Sequence, residues 1–442
     1  MTSPELTHEV TADVVVVGAG FAGLMAATGL QQRGHRVVVV EALDRVGGKS
    51  DSAHDALGRR VDTGGQFVCD DMPNVLALIR HQGKRLVPVD HDTPGRAFVG
   101  GDRRTADPQT LWHTFHIAEQ TIEQMAGLEV GFDDPTISMG QRLASVELAD
   151  DVLAAARAAL NGIMCVAVDD LPAAHVIDLA RRTPLTRDEL QYVVAETMHA
   201  VAERLADDLV NGVLLNEPAR SIEVTSQHSV AVRTDRRTVI AKHVVVAVPP
   251  TAYATMSFTP PLPSAVLHAA GGFRAGSVTK FLVRYDQPFW RDQQVGSTSM
   301  WLDPSGLYVG DASPDEDTSI LVAFLGGPSS HTWRAMSADE RRRLLLLRLV
   351  EAYGPQAGSP ISFVERDWTP DDWGGGGYWN VLLDGSITDA VDVLLRGAPG
   401  VTFASTELAA SFPGYIEGAI NAGRAAAASV SELLIPHRSV PA

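Results

Sequence analysis

The sequence predicts an α/β fold for a chain of 442 residues. Three observations predict it: a run of four valines closed by a glycine turn, a second valine run after one helical stretch, and further apolar runs of the same kind late in the chain. Unbroken β-branched runs suit strands of a parallel sheet, which is covered by helices on both faces. At roughly 100 to 200 residues per domain, such a length carries two or three domains. With 45% hydrophobic residues there is enough apolar material for a large core, which excludes a disordered or collagen-like chain.

The first element is Asp13-Val14-Val15-Val16-Val17-Gly18-Ala19-Gly20-Phe21-Ala22-Gly23-Leu24, followed by a helical stretch and then Arg36-Val37-Val38-Val39-Val40-Glu41. This is GxGxxG inside a βαβ unit. Gly18 allows the tight turn and Gly20 lets a diphosphate approach the backbone. Gly23 lets helix and strand pack closely, and the helix that Phe21 and Ala22 open turns its N-terminus toward negative charge. Glu41, at the end of the second strand, is placed to accept hydrogen bonds from a ribose diol. Dinucleotide binding is the expectation, against a βαβ unit that holds no ligand. The stretch from Val14 to Leu30 has no charged residue and nears the length of a membrane span, but its glycines read as strand, turn and helix.

The balance of 36 Lys+Arg against 54 Asp+Glu gives a formal charge of −18, a field that repels nucleic acid and anionic membranes. The two cysteines, Cys69 and Cys165, stand far apart and form neither a CxxC pair nor a metal-ligand spacing. No metal site, no disulfide framework and a reduced cytoplasmic setting are expected. Neither the acidic N-terminal run nor the polar C-terminus reads as a secretion signal or a membrane anchor. His113, His116 and His331 read as ordinary polar residues, and no G-x-S-x-G elbow or H-E-x-x-H pair is present.

After the second strand the chain reads Glu41-Ala42-Leu43-Asp44-Arg45-Val46-Gly47-Gly48-Lys49-Ser50, and later Val61-Asp62-Thr63-Gly64-Gly65-Gln66-Phe67. The first pattern, E-A-x-x-R-x-G-G, resembles the FAD-binding signature of the flavin-containing amine oxidase (monoamine oxidase) family, and the second resembles that family's D-x-G-G segment beside the flavin. Lys49 stands where the family usually has Arg, keeping the charge without the planar fork. The resemblance continues through Leu215-Asn216-Glu217-Pro218-Ala219 and His243 to Pro250. In that block, relatives contact the adenine end through the backbone near Ala219. It continues again through Gly276-Ser277-Val278-Thr279-Lys280 with Pro288-Phe289-Trp290. A Lys in such a strand is ordinarily solvated; the resemblance instead implies that Lys280 holds a water at flavin N5 and assists reaction with oxygen.

The C-terminal block, Phe403-Ala404-Ser405-Thr406-Glu407 with Gly414-Tyr415-Ile416-Glu417-Gly418-Ala419, resembles the family's F-A-G-T-E…G-Y-x-E-G-A signature and runs into an Ala-rich helix. Ser405 replaces the family Gly. The resemblance implies that the amides where this helix begins face the flavin. Tyr378 and Tyr415 match two tyrosines that form an aromatic cage for the amine, although taken singly each would be an ordinary core or surface residue. Gly377 stands where mammalian monoamine oxidases carry the Cys linked to FAD, so FAD is expected to bind non-covalently.

The implied architecture is an FAD-binding Rossmann-like domain of para-hydroxybenzoate-hydroxylase-like topology, from residues 1–75, 195–270 and 371–442. An α+β substrate-binding domain takes 76–194 and 271–370. The stretch Ala195 to Ala200 departs from the Gly-rich turn that relatives often have there. The implied activity is oxidation of a small-molecule amine by hydride transfer to flavin, giving an imine and then an aldehyde or ketone, with O2 reduced to hydrogen peroxide. The amine reacts in its neutral form, so activity should rise with pH. A biosynthetic FAD-dependent desaturase or dehydrogenase, and a flavoprotein without turnover, are the alternatives. The identity of the amine is not legible, and a homodimer is expected only because relatives are often dimers.

Overall fold

The structure is a computed structural model that describes residues 8–89, 95–99, 102–106, 134, 136–146, 150–187, 189–226, 229–291 and 296–435. His113 and His116 lie outside the described residues. The chain forms two compact units, each built from separated segments. The first takes Met1–Lys49, Ala200–Phe273 and Asp389–Ala442, and the second Ser50–His199 and Arg274–Thr388.

The α/β class is as expected, but the chain divides at other points than the sequence suggests. Residues 50–75 and 371–388, grouped above with the nucleotide domain, fold in the second unit. Hydrogen bonds explain this. In the hairpin of Ser52–His54 and Arg60–Asp62, Asp55 pairs with Arg284 at 2.6 Å, and Ala56 N donates to Ser362 Oγ at 3.0 Å. Farther on, Leu382 N donates to His175 Nε2 at 3.3 Å.

The first unit is built on five parallel strands in the spatial order Val213–Leu214, Val37–Val40, Val14–Val17, His243–Val246 and Val401–Phe403. The three central strands are buried at every position, as four-residue valine-rich runs demand. From Val14–Val17 the chain goes first to the strand on one side and only much later to the strand on the other. The order therefore reverses here, the kind of position at which an open parallel sheet leaves a crevice outside the carboxyl ends of its strands. Helix Phe21–Gln32 packs on helix Ile416–Leu434 through small residues. A Cβ on Gly423 would lie 2.2 Å from Ala22 O, and one on Gly29 would lie 2.8 Å from Ala427 Cβ. A second, mixed sheet of five strands, His8–Thr11 to Ser257–Thr259, completes this unit.

The second unit carries a seven-stranded sheet in the order Ser362–Asp367, Val278–Tyr285, Ser319–Gly326, Leu307–Asp311, Ser299–Trp301, Gly95–Val99 and Asp102–Ala106. Its pairs are antiparallel except Ser299–Trp301 with Gly95–Val99. Alternation along Val278–Tyr285 sends Phe281, Val283 and Tyr285 into a core with Trp290, Trp301, Leu345 and Leu349. Leu282 faces the other way, toward Val61, Ile320 and Val322, with Phe67 and Phe324 packed alongside. Lys280 is in register with Leu282 and so belongs to that second face.

Candidate active site

In the first unit the glycine turn has the shape its sequence requires. Gly18 has φ +98°, and a Cβ there would meet Ala247 O at 2.8 Å. A Cβ on Gly23 would sit 1.9 Å from Gly18 O, so only glycine lets the helix begin this close to the strand. Phe21 and Ala22 are buried in the first turn of the helix, whose N-cap is Gly20. Gly20 bridges Gly47, and a Cβ on Gly48 would lie 3.1 Å from Gly20 Cα, which brings the E-A-x-x-R-x-G-G loop against the turn.

Glu41 is buried. Its Oε2 accepts from Ala19 N at 2.6 Å and its Oε1 from Leu43 N at 2.9 Å. Burial pushes its carboxyl above the usual carboxylate range, opposed by those amides and by Arg45. Arg45 turns inward on its own loop and donates to Gly48 O at 2.9 Å. Ala42 and Lys49 are half-buried on the same loop. The segment before the buried Ala219 runs beside it, with Asn216 N on Leu43 O and Glu217 N on Glu41 O, each at 2.8 Å.

Also in this unit, Ser405 follows the strand Val401–Phe403 and is buried. Its Oγ has no hydrogen-bond partner among the described residues. Thr406 is used differently: its hydroxyl donates to Tyr415 O at 2.8 Å and accepts from Gly414 N at 2.9 Å, fixing the turn from which Ile416 opens the last helix. Glu407 is buried in the short 3-10 turn after Ser405, and Tyr415 packs edge-on against Phe412 at 5.8 Å. A dinucleotide fits the turn, which carries no side chain where a diphosphate would come closest.

In the second unit Lys280 is 3% exposed. Its Nζ donates to Gly64 O at 2.7 Å and to the side-chain oxygen of Gln66, and lies 5.5 Å from the centre of the Phe324 ring. Burial lowers its pKa, and the nearby Asp62 carboxylate opposes the shift. Asp62 is itself buried and pushed up by desolvation. Lys280 and the amides of Met198 and His199, at 2.7 and 3.2 Å, restrain that rise. The helix Met198–Asp207 thus starts against a carboxylate at the stretch where the sequence departs from a Gly-rich turn. The D-x-G-G loop is pinned from the other side by Trp368, whose indole N–H donates to Thr63 O at 2.9 Å. Gly65 and Phe67 complete that loop, and Phe67 meets Phe324 edge-on at 6.3 Å.

Tyr378 packs edge-on against Phe324 at 6.2 Å and tilted against Trp379 at 6.1 Å. Desolvation, then Cys165 and Glu189, push its phenol well above the ordinary value of 10, so it stays neutral. A Cβ on Gly377 would come within 2.6 Å of Cys165 Cβ. Both cysteines are buried and unbridged.

Lys280, the Gly64–Phe67 loop and Tyr378 are thus brought together in the second unit. The nucleotide residues and Tyr415 lie in the first. Sequence reading missed Asp62 and Phe324 as neighbours of Lys280. Asp62 sits within the D-x-G-G motif, and Phe324 was traceable only as an alternating position of its strand. Among the described residues no cluster of His, Cys, Asp and Glu could hold a metal ion, and no helix is long and apolar enough to cross a membrane.

Residues 21–431 match the family described as flavin containing amine oxidoreductase. The L-amino acid dehydrogenase of Synechocystis sp. is 26% identical, the match covering 96% of this chain and 95% of that protein. The putrescine oxidase of Kocuria rosea is 30% identical, over 95% of each. The structure of cyclohexylamine oxidase from Brevibacterium oxydans superposes with a TM-score of 0.88 at 26% identity, covering 96% of this chain and 99% of that one.

Proposed function

The chain belongs to the flavin-containing amine oxidoreductase family, and from that premise we propose that it is an FAD-dependent amine oxidase, acting on a CH–NH or CH–NH2 donor with oxygen as acceptor. The observation that carries this reading is Lys280, a lysine buried on the sheet face that also holds the D-x-G-G loop. When bound, FAD supplies the acceptor for hydride from the carbon bearing nitrogen and passes the electrons to O2, leaving hydrogen peroxide and an imine that hydrolyses to an aldehyde or ketone.

The protein's own groups supply position and proton control. Lys280 Nζ is fixed by two neutral acceptors, so it presents a donor in one place. Because burial lowers its pKa, it gives up a proton more readily than an exposed lysine. By the family resemblance Tyr378 and Tyr415 are each proposed to orient the amine; π-faces attract its positive character. Gly377 itself carries no sulfur, which supports non-covalent binding.

A second reading keeps the donor chemistry and changes the acceptor. It is favoured by the relative named L-amino acid dehydrogenase. The test is a peroxide-release screen over linear, cyclic and amino-acid amines, with rapid mixing of Lys280→Met. Amine should reduce the variant's flavin at nearly the wild-type rate, while reoxidation by O2 falls about a hundredfold. Equal slowing of both steps would remove Lys280 from the oxygen reaction. Bleaching by amines without peroxide would favour the second reading.

A further inference from the structure

We infer that Asp62 is a positioning residue for the oxygen step, the buried counter-charge that keeps Lys280 an ammonium at a pH where burial alone would discharge it. The inference rests on the role of Lys280 proposed above and adds a partner through which that role is held. A buried ammonium is costly unless a carboxylate offsets it. Lys280 is 3% exposed, yet its two direct acceptors, Gly64 O and the Gln66 side-chain oxygen, are neutral. Its counter-charge therefore lies one layer further out.

The other carboxylates around this strand pair each have an arginine. Arg366 stands directly opposite Lys280 in the sheet, and its guanidinium pairs with Asp371 at 2.6 Å and lies 3.8 Å from Asp51. Glu365 pairs with Arg341, Asp367 with Arg334 and Asp55 with Arg284. Asp62 is different. It is 8% exposed, forms no direct ion pair among the described residues, and accepts the amides of Met198 and His199 at 2.7 and 3.2 Å. Arg60, the cation nearest to it along the chain, is turned to Ser52 Oγ at 2.6 Å and His199 Nδ1 at 2.9 Å, and that imidazole lies 3.9 Å from Asp51. The loop keeps Asp62 in place. Asp51 O accepts from Thr63 N and Gly64 N at 2.8 and 3.1 Å, while Lys280 binds the carbonyl of Gly64. Each charge then supports the other: the carboxylate opposes loss of the lysine's proton, and the ammonium opposes protonation of the carboxylate. O2 takes up negative charge as it is reduced, and a fixed cation in a dry site lowers the cost of that charge.

The test follows flavin reduction by amine and reoxidation by O2 separately, across about pH 5 to 9, in FAD-loaded enzyme. Wild type is compared with Asp62→Asn, Asp62→Glu, Lys280→Met and the double variant Asp62→Asn/Lys280→Met. Without the carboxylate the lysine loses its proton earlier. The alkaline fall of the reoxidation rate should therefore move about one pH unit lower in Asp62→Asn, and just below the wild-type fall reoxidation should drop about tenfold relative to reduction. Asp62→Glu keeps the charge and should restore most of the wild-type profile. In the Lys280→Met background, Asp62→Asn should change reoxidation by less than about twofold. An unmoved profile in Asp62→Asn, a Glu profile that coincides with the Asn one, or equal losses with and without Lys280 would overturn the inference and mark a structural role. Where Asp62→Asn does not fold, stability decides. Folding of the double variant supports the pair, because the unpaired buried charge has been removed with its partner, and failure of both variants overturns it. Reoxidation equal in Lys280→Met and wild type would overturn the role of Lys280 itself, whereas slow reoxidation in Lys280→Met with an unmoved Asp62→Asn profile would overturn this inference alone.

Discussion

Lys280 is buried beside a carboxylate, and its environment determines how its charge responds to pH. Its pKa is lowered below the ordinary 10.5 by burial, so in the folded protein the proton leaves at a pH where the unfolded chain still keeps it. In the window between that lowered value and 10.5, the unfolded state binds more protons, and stability rises with pH. Below the window the full penalty for the buried ammonium is present. The Lys280→Met chain lacks this term, and its Asp62, without the lysine to restrain it, is pushed up further by burial, so the variant loses stability as pH rises. The stability of wild type relative to Lys280→Met should therefore climb as pH rises from 7 to 10. Urea denaturation across that range measures it, and a flat difference would mean that the lysine is not desolvated as the structure has it. The strand pattern and the motif pointed to Lys280. Its partners were not legible, because Gly64 lies 216 positions away in sequence and alternation names a face without naming what covers it. Phe324 belongs to a neighbouring strand for the same reason.

At the scale of elements, the legible parts are those whose pattern is local. Valine runs gave buried parallel strands, and GxGxxG gave the turn and the helix after it, since both follow from sterics within a few residues. The partner of that helix was not readable, because the Ala-rich tail of Ile416–Leu434 shows only that something packs closely against it. Gly423 carries the consequence. In an exposed helix, Gly→Ala gains about 1 kcal/mol from propensity. Here the added Cβ would meet Ala22 O at 2.2 Å and Met25 Cβ at 2.9 Å, and a carbonyl inside a helix cannot yield. Overpacking should win, so Gly423→Ala is expected to lose about 1–3 kcal/mol. Gly271, the exposed last residue of helix Ser264–Gly271 with nothing within 4 Å of its Cβ position, is the control and should lose no stability on substitution to Ala, gaining up to about 1 kcal/mol. Chemical denaturation of the two variants side by side decides it. Division of the chain into units was also beyond local pattern: the 50–75 stretch follows the Asp55–Arg284 pair and the Ser362 contact, neither of which leaves a periodic trace.

The molecule as a whole builds its first unit from Met1–Lys49, Ala200–Phe273 and Asp389–Ala442, so the glycine turn, the Ala219 segment and the Ser405–Ile416 segment meet only when the chain has folded across its full length. An unfolded chain therefore offers FAD no site, and binding must be linked to global stability. For a ligand that binds only the native state, stabilisation is about 2.7 kcal/mol at a hundredfold excess over Kd and grows by about 1.4 kcal/mol for each further tenfold. If FAD is held without a covalent bond, the melting temperature should rise steadily with the logarithm of added FAD, and acid precipitation should leave all yellow colour in the supernatant. A covalently attached flavin gives the opposite pair of results: a melting temperature indifferent to added FAD, and colour that stays with the pellet. The two readouts are independent of turnover. They therefore test the cofactor's mode of binding even for a preparation whose amine has not been identified, and they separate the Gly377 argument from the assignment of Lys280.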